Sequence, residues 1–181
     1  MFFKTKASPE QKGELTATFL PGFAIHGAEE LTNQVPQIAE LDAREGTLDL
    51  LFEMFAFFMH LANRLAFREL GAQQCSAFSQ HMIATVADRL MKSLGASYSS
   101  VQVLSLLRDK YNERENYYGR FPQLMAAADQ PKKNTVFWEF SKVIFNEFVR
   151  TDDTIDLIVV DHILAMEIAG FLAQIKEVWK K

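Results

Sequence analysis

Between Thr47 and Leu70 the chain reads as a nearly continuous apolar run, LDLLFEMFAFFMHLANRLAF over residues 48–67, interrupted only by single polar residues. At about 100° per residue, Asp49, Glu53, His60, Asn63 and Arg64 fall on one narrow stripe of a helix. Leu50, Leu51, Phe52, Met54, Phe55, Phe57, Phe58, Met59, Leu61 and Leu65 cover the remaining circumference. Such a helix leaves water only a strip and must be wrapped by other elements. A second stretch, 154–180, shows no coherent polar side until its last turns. Two helices of this kind predict an all-α, single-domain bundle of six or seven helices, with central helices near 47–70 and 154–180.

Capping signals place the other helices. Ser8-Pro9 with Gln11 forms a capping box with proline in the first turn. Pro21-Gly22 is expected to end that first helix, and Pro36 to break the helical composition of 27–44. Thr47 is expected to cap the apolar helix and Gly71 to end it. A helix over 72–94 follows, closed by Gly95. Ser99 and Gln102 form a second capping box, opening a helix expected to fade in the polar stretch 112–116. Gly119, Pro122 and Pro131 mark a loop region with one short helix at 124–128. Asn134 or Thr135 caps a helix to about Arg150, and Asp152-Asp153-Thr154 opens the last. Residues 155–160 (IDLIVV) are rich in β-branched types but lack a partner strand, so they read as helix. The domain organisation is one unit over 1–181, with short N-terminal helices over 1–46 and the main bundle over 47–181.

Composition narrows the classes. Hydrophobic residues make up 49% and charged residues 23% of 181, which excludes a disordered or collagen-like chain. The single Cys75 allows no internal disulfide and fits a reducing compartment. A net charge of −4 provides no bulk positive field, and the basic residues of 108–120 alternate with Asp109, Glu113 and Glu115. No nucleic-acid partner is expected. Both apolar helices carry internal charges (Asp49, Glu53 and Arg64 in one, Asp161 and Glu167 in the other), each costly in a bilayer. No secretion signal is read at the N-terminus, so the expectation is a cytoplasmic protein without a membrane partner.

No phosphate-binding glycine loop, G-x-S-x-G, H-E-x-x-H, C-x-x-C or EF-hand spacing occurs, so no cofactor is expected and no residue is given a catalytic role. One geometric lead remains. If 47–70 and 72–94 form an antiparallel hairpin about Gly71, His60 lies level with His81, and Glu53 with Asp88. The two levels are seven residues apart, about 10.5 Å along the axis, too far for one metal ion. Glu53, His60, His81 and Asp88 are therefore expected to be solvated stripes, with a metal or acid–base site as the alternative. Cys75 shares its side with Phe78 and Met82 and reads as a structural thiol. Asp161, His162 and Glu167 sit in apolar surroundings and must be paired or lie at an interface.

Tyr111, Arg114, Tyr117, Tyr118, Arg120 and Phe121 combine the residue types that dominate interface hot spots, and are the candidate partner-binding patch. Sixteen Phe and seven Met would line an apolar ligand cavity or, more simply, fill a core. The last helix, apolar all round through Ile155, Leu157, Ile158, Val159, Val160, Ile163, Leu164, Ile168, Phe171 and Leu172, predicts a homodimer in which a second subunit covers one face. The resulting expectation is a non-enzymatic helical interaction or adaptor protein. A small-molecule-binding domain comes second, and a metal-dependent bundle enzyme using Glu53, His60, His81 and Asp88 third.

Overall fold

The computed structural model describes residues 7–41, 46–94, 99–125, 133–151 and 153–180. Helix α1 spans Pro9–Gln34, α2 Pro36–Ala39, α3 Gly46–Leu70, α4 Ala72–Leu94, α5 Ser100–Tyr118, α6 Val136–Ile144 and α7 Thr154–Trp179. A π-helical turn, Phe145–Val149, continues α6, and no strand occurs among the described residues. The all-α bundle read from the sequence is the fold. Helix α3 lies at its centre, touching α1, α4, α5, α6 and α7. By length and composition α3 is long and apolar enough to cross a membrane, and 72% of its most apolar stretch is buried inside the protein.

Several boundaries follow the capping chemistry. Ser8 accepts from the Gln11 amide while the Gln11 side chain accepts from the Ser8 amide, and Ser99 and Gln102 repeat the box at α5. Thr135 caps α6 through the Trp138 amide, and Asp153 caps α7 through the Ile155 amide. Gly71 turns the chain between α3 and α4 at φ +79°, a left-handed conformation that glycine adopts without strain. Val35, in extended conformation before Pro36, separates α1 from α2.

Four expectations are corrected. Pro21-Gly22 does not end the first helix, which continues for 26 residues with Pro21 inside it. The missing amide and ring clash cost about 3 kcal/mol in a helix interior. Ala17, Leu20, Ala24, Ala28 and Leu31, spaced at helical intervals on both sides of the proline, are all buried, and ending the helix would expose half of them. The N-terminal region is therefore one long helix and one short one. Helix α5 does not fade at 112–116 but runs to Tyr118, because Tyr111, Arg114 and Tyr118 are all buried against the bundle. Leu124 and Met125 are not helical; the Gln123 and Leu124 carbonyls instead accept from the Val136 and Phe137 amides. The remainder of that expected helix, like the Gly95 stop, lies outside the described residues. Helix α3 also begins at Gly46, so Thr47 is its second residue and not its cap.

The phenylalanines form the core. Phe57 stacks on Phe140 with ring centroids 3.6 Å apart, Phe58 packs on Phe171 at 4.8 Å, and Phe23 bridges Phe58 and Phe171. Helices α1 and α4 approach closely at Gly13, where a Cβ would stand 2.5 Å from the Phe78 carbonyl oxygen. Gly13→Ala is expected to cost about 1–3 kcal/mol in urea unfolding, as overpacking against rigid backbone does. Gly22→Ala meets nothing within 4 Å and is expected to be neutral or stabilising by about 0.5–1 kcal/mol. Equal effects at the two positions would contradict the α1–α4 contact.

Candidate functional site

Glu53 and His60 of the α3 polar stripe meet α5, Arg64 meets the segment after α5, and Asn63 bonds to both α5 and α4. Glu53, fully buried, meets the α5 cations: Arg114 Nη2 donates to Oε2 at 2.8 Å, and Nε lies 2.6 Å from Oε1 without hydrogen-bond alignment. Lys110 Nζ stands 3.1 Å from Oε2 and the Tyr118 hydroxyl 3.4 Å from Oε1. Arg114 Nη2 also reaches Glu147 at 2.7 Å, on the π-helical turn. That turn closes with the Arg150 amide donating to the Phe145 carbonyl. Burial opposes the Arg114 charge, but hydrogen bonds and charge from Glu53 and Glu147 outweigh it and raise its pKa. Tyr118 is pushed up by burial first and by the Glu53 charge second.

A second polar layer lies further along α3. The buried His60 donates from Nδ1 to Glu115 at 2.6 Å, and Asn63 Nδ2 donates to the other carboxylate oxygen at 3.1 Å. Burial pushes the Glu115 carboxyl up, yet the His60, Asn63 and Tyr111 contacts prevail and lower it, so it is ionised. Asn63 Oδ1 accepts from Cys75 at 3.0 Å and from Ser79, tying α3 to α4. The thiol is raised by burial, the state of a structural cysteine and not of an activated nucleophile. His60 Nε2 is buried with no hydrogen-bond partner.

These contacts redistribute the residues expected to act together. His60 and His81 are not paired: His81 is exposed, 3.7 Å from Glu14 on α1. Asp88 is exposed and bonded to Lys92 on its own helix, while Glu53 is buried with Arg114. The solvated-stripe reading holds for His81 and Asp88 and fails for Glu53 and His60, which charge partners on α5 take into the core. Among the described residues no three of His, Cys, Asp and Glu cluster to hold a metal ion. In the aromatic–Arg group, Tyr111, Arg114 and Tyr118 are buried. Only Tyr117, Arg120 and Phe121 reach the surface, and Tyr117 donates to Glu139 at 2.8 Å. Burial, then that bond, push the Tyr117 hydroxyl up to about 12. Lys110 and Glu147 escaped the sequence reading, and Glu115 entered it only as one of the charges alternating along 108–120. Their signal was present in part: Lys110, Arg114 and Tyr118 recur every four residues, one face of a helix.

Two open surfaces among the described residues bear on function. A cleft of about 450 Å³ lies between the end of α3 and the segment after α5, lined by Asn63, Arg64, Phe67, Arg68, Glu115 and Leu124 among others. Arg64 donates to the Phe121 and Pro122 carbonyls in its wall, at 2.7 and 2.9 Å. The other surface is on α7. Val160, Ile163, Leu164, Ile168, Phe171 and Ile175 are buried, yet Ile155, Ile158 and Met166 are each about two-thirds exposed. His162, Ala169, Gly170 and Ala173 complete that exposed side, which carries no carboxylate, Lys or Arg between 155 and 173. The three acids in this stretch are engaged elsewhere: Asp156 accepts from Gln37, Asp161 accepts from Ser141, and Glu167 binds His26 at 2.7 Å. Comparison with protein-family models, curated proteins and solved structures returns no match to the chain.

Proposed function

We propose that this chain is a non-enzymatic helical interaction protein that self-associates through the bare side of α7. The observation that carries the reading is the row Ile155, Ile158 and Met166, three large apolar side chains about two-thirds exposed on one helix face without a charge beside them. A solvated helix face ordinarily carries charge, and a contiguous apolar patch rimmed by polar residues marks an interaction surface. In this reading the occupant is a second copy of the chain, which offers the same apolar side of its own α7. The polar layers support the non-enzymatic part: their carboxylates are held by protein cations and hydrogen bonds, and the cysteine is buried. Burial of α3 in the bundle supports reading it as a core helix and not a membrane span, and the reading keeps the chain in the cytoplasm.

Ile158→Glu is expected to reduce the mass measured by light scattering to that of one chain while leaving the helical circular dichroism unchanged. A folded Ile158→Glu variant of unchanged mass, from a wild type of two chains, would remove α7 as the contact. A second reading, a small-molecule binder, rests on the cleft, where Phe67 is 58% exposed beside Arg68. Mass spectrometry of compounds extracted from the purified protein tests it: a stoichiometric compound lost in Phe67→Ala supports this reading, and an empty extract opposes it.

A further inference from the structure

The cleft at the end of α3 holds more positive charge than its walls neutralise. Arg64, Phe67 and Arg68 stand at i, i+3 and i+4, so they share one face of α3, and all three line the cleft. Arg64 is half-buried, and its Nη1 and Nη2 donate to the Phe121 and Pro122 carbonyls. These bonds hold the guanidinium in place and occupy only part of its five N–H donors. Neither acceptor is a carboxylate, and Arg64 has no ion-pair partner among the described residues. Burial accordingly lowers its pKa, with the Glu115 charge opposing the shift. Glu115 is the carboxylate of the lining, and its oxygens already accept from His60, Asn63 and Tyr111. Arg68, in the last turn, answers the negative end of the α3 dipole. It too has no partner among the described residues, and it stands one turn from Arg64, where like charges repel. Two guanidinium groups against a single, fully engaged carboxylate leave one positive charge unmatched.

The rest of the lining is apolar: Leu65, Pro122, Leu124 and the ring of Phe67, which is 58% exposed. A volume of about 450 Å³ falls within the range of small-molecule sites. Resting on the reading of this cleft as a small-molecule site, we propose that its ligand is an aromatic monocarboxylate. The planar carboxylate takes the remaining N–H donors of Arg64, a fork that matches it in shape and charge. Arg68 adds attraction from the solvent side, and the ring of the ligand lies against Phe67 and Leu124, where offset or edge-on ring contacts are favourable. The charge balance selects a monoanion. A phosphate monoester, carrying nearly two negative charges, would bring one more than the cleft can match and set it beside Glu115.

2-Naphthoate and 2-naphthamide test the proposal, because they share a ring system and differ in charge. Ligand-observed NMR titration of the full chain is expected to show naphthoate binding about tenfold more tightly, as a charged hydrogen-bonded contact provides. Arg64→Met should bring that ratio close to one while naphthamide binds as before. Arg68→Met, at an exposed position, should lower the ratio only about two- to threefold. Phe67→Ala should weaken both probes alike. Equal binding of the two probes to the wild type, lost in Phe67→Ala, would overturn the carboxylate and leave the small-molecule site standing. An Arg64→Met variant that weakens both probes equally would overturn Arg64 as the anchor of the anion, its loss then acting through the Phe121–Pro122 wall. Binding of neither probe at millimolar concentration would overturn the cleft as a ligand site.

Discussion

Arg114→Met is expected to destabilise the protein by about 3–5 kcal/mol, the usual loss when one member of a buried ion pair is removed. Arg114 is the group that makes the burial of Glu53 tolerable. It approaches both carboxylate oxygens and joins them to Glu147 on the π-helical turn. Without it, Glu53 keeps Lys110 at 3.1 Å and the Tyr118 hydroxyl at 3.4 Å, which cannot replace a guanidinium. The companion variant Glu53→Leu/Arg114→Met should lose less than Arg114→Met alone, because it leaves no carboxylate at the buried position of Glu53. Urea unfolding of the single and double variants measures both effects. A single-variant loss below about 1 kcal/mol, or a double variant worse than the single, would contradict the assigned pairing.

Phe57→Ala should cost a similar amount, about 3–5 kcal/mol, for a different reason. Phe57 is fully buried at the centre of α3, where it stacks on Phe140 and meets Phe58 and Tyr118 edge-on at 5.8 and 5.6 Å. Truncation opens a cavity between three helices that are already close-packed, and the neighbouring rings lose their partner. The exposed Phe67 on the same helix is the control, since its Ala variant empties no core site. Denaturant melts in which Phe57→Ala and Phe67→Ala lose the same stability would show that α3 is not the central helix.

The helices were legible where short-range chemistry decides. Ser8 with Gln11, Ser99 with Gln102, Gly71 and Asp153 act on residues within four positions, and each appears in the structure as the sequence implies. Pro21 was misread because its local cost is outweighed by the burial of residues up to ten positions away, which no local rule includes. The polar tail of α5 was misread for a related reason. Glu113 is solvated as the pattern implies, but Arg114 and Glu115 are the counterparts of Glu53 and His60, and only the packing of α5 beside α3 brings them together. Glu53, His60, Arg114 and Tyr118 had each been singled out in the sequence, in two unconnected leads. The structure joins them in one interior seam, with Glu115 and Glu147 as members that residue type alone did not mark. The exposed side of α7 was foreshadowed by the missing polar face of 154–180, although most of that helix is covered by α1, α3 and α6.

The bare row on α7 is the feature from which the functional account proceeds, and the mass of the unmodified protein in solution tests it most directly. Light scattering on the wild-type chain at two micromolar concentrations a tenfold apart should give a mass near twice the 20.7 kDa of one chain, falling toward one chain only on dilution. A mass of one chain at both concentrations would contradict the account and leave Ile155, Ile158 and Met166 as solvent-facing residues of a monomer.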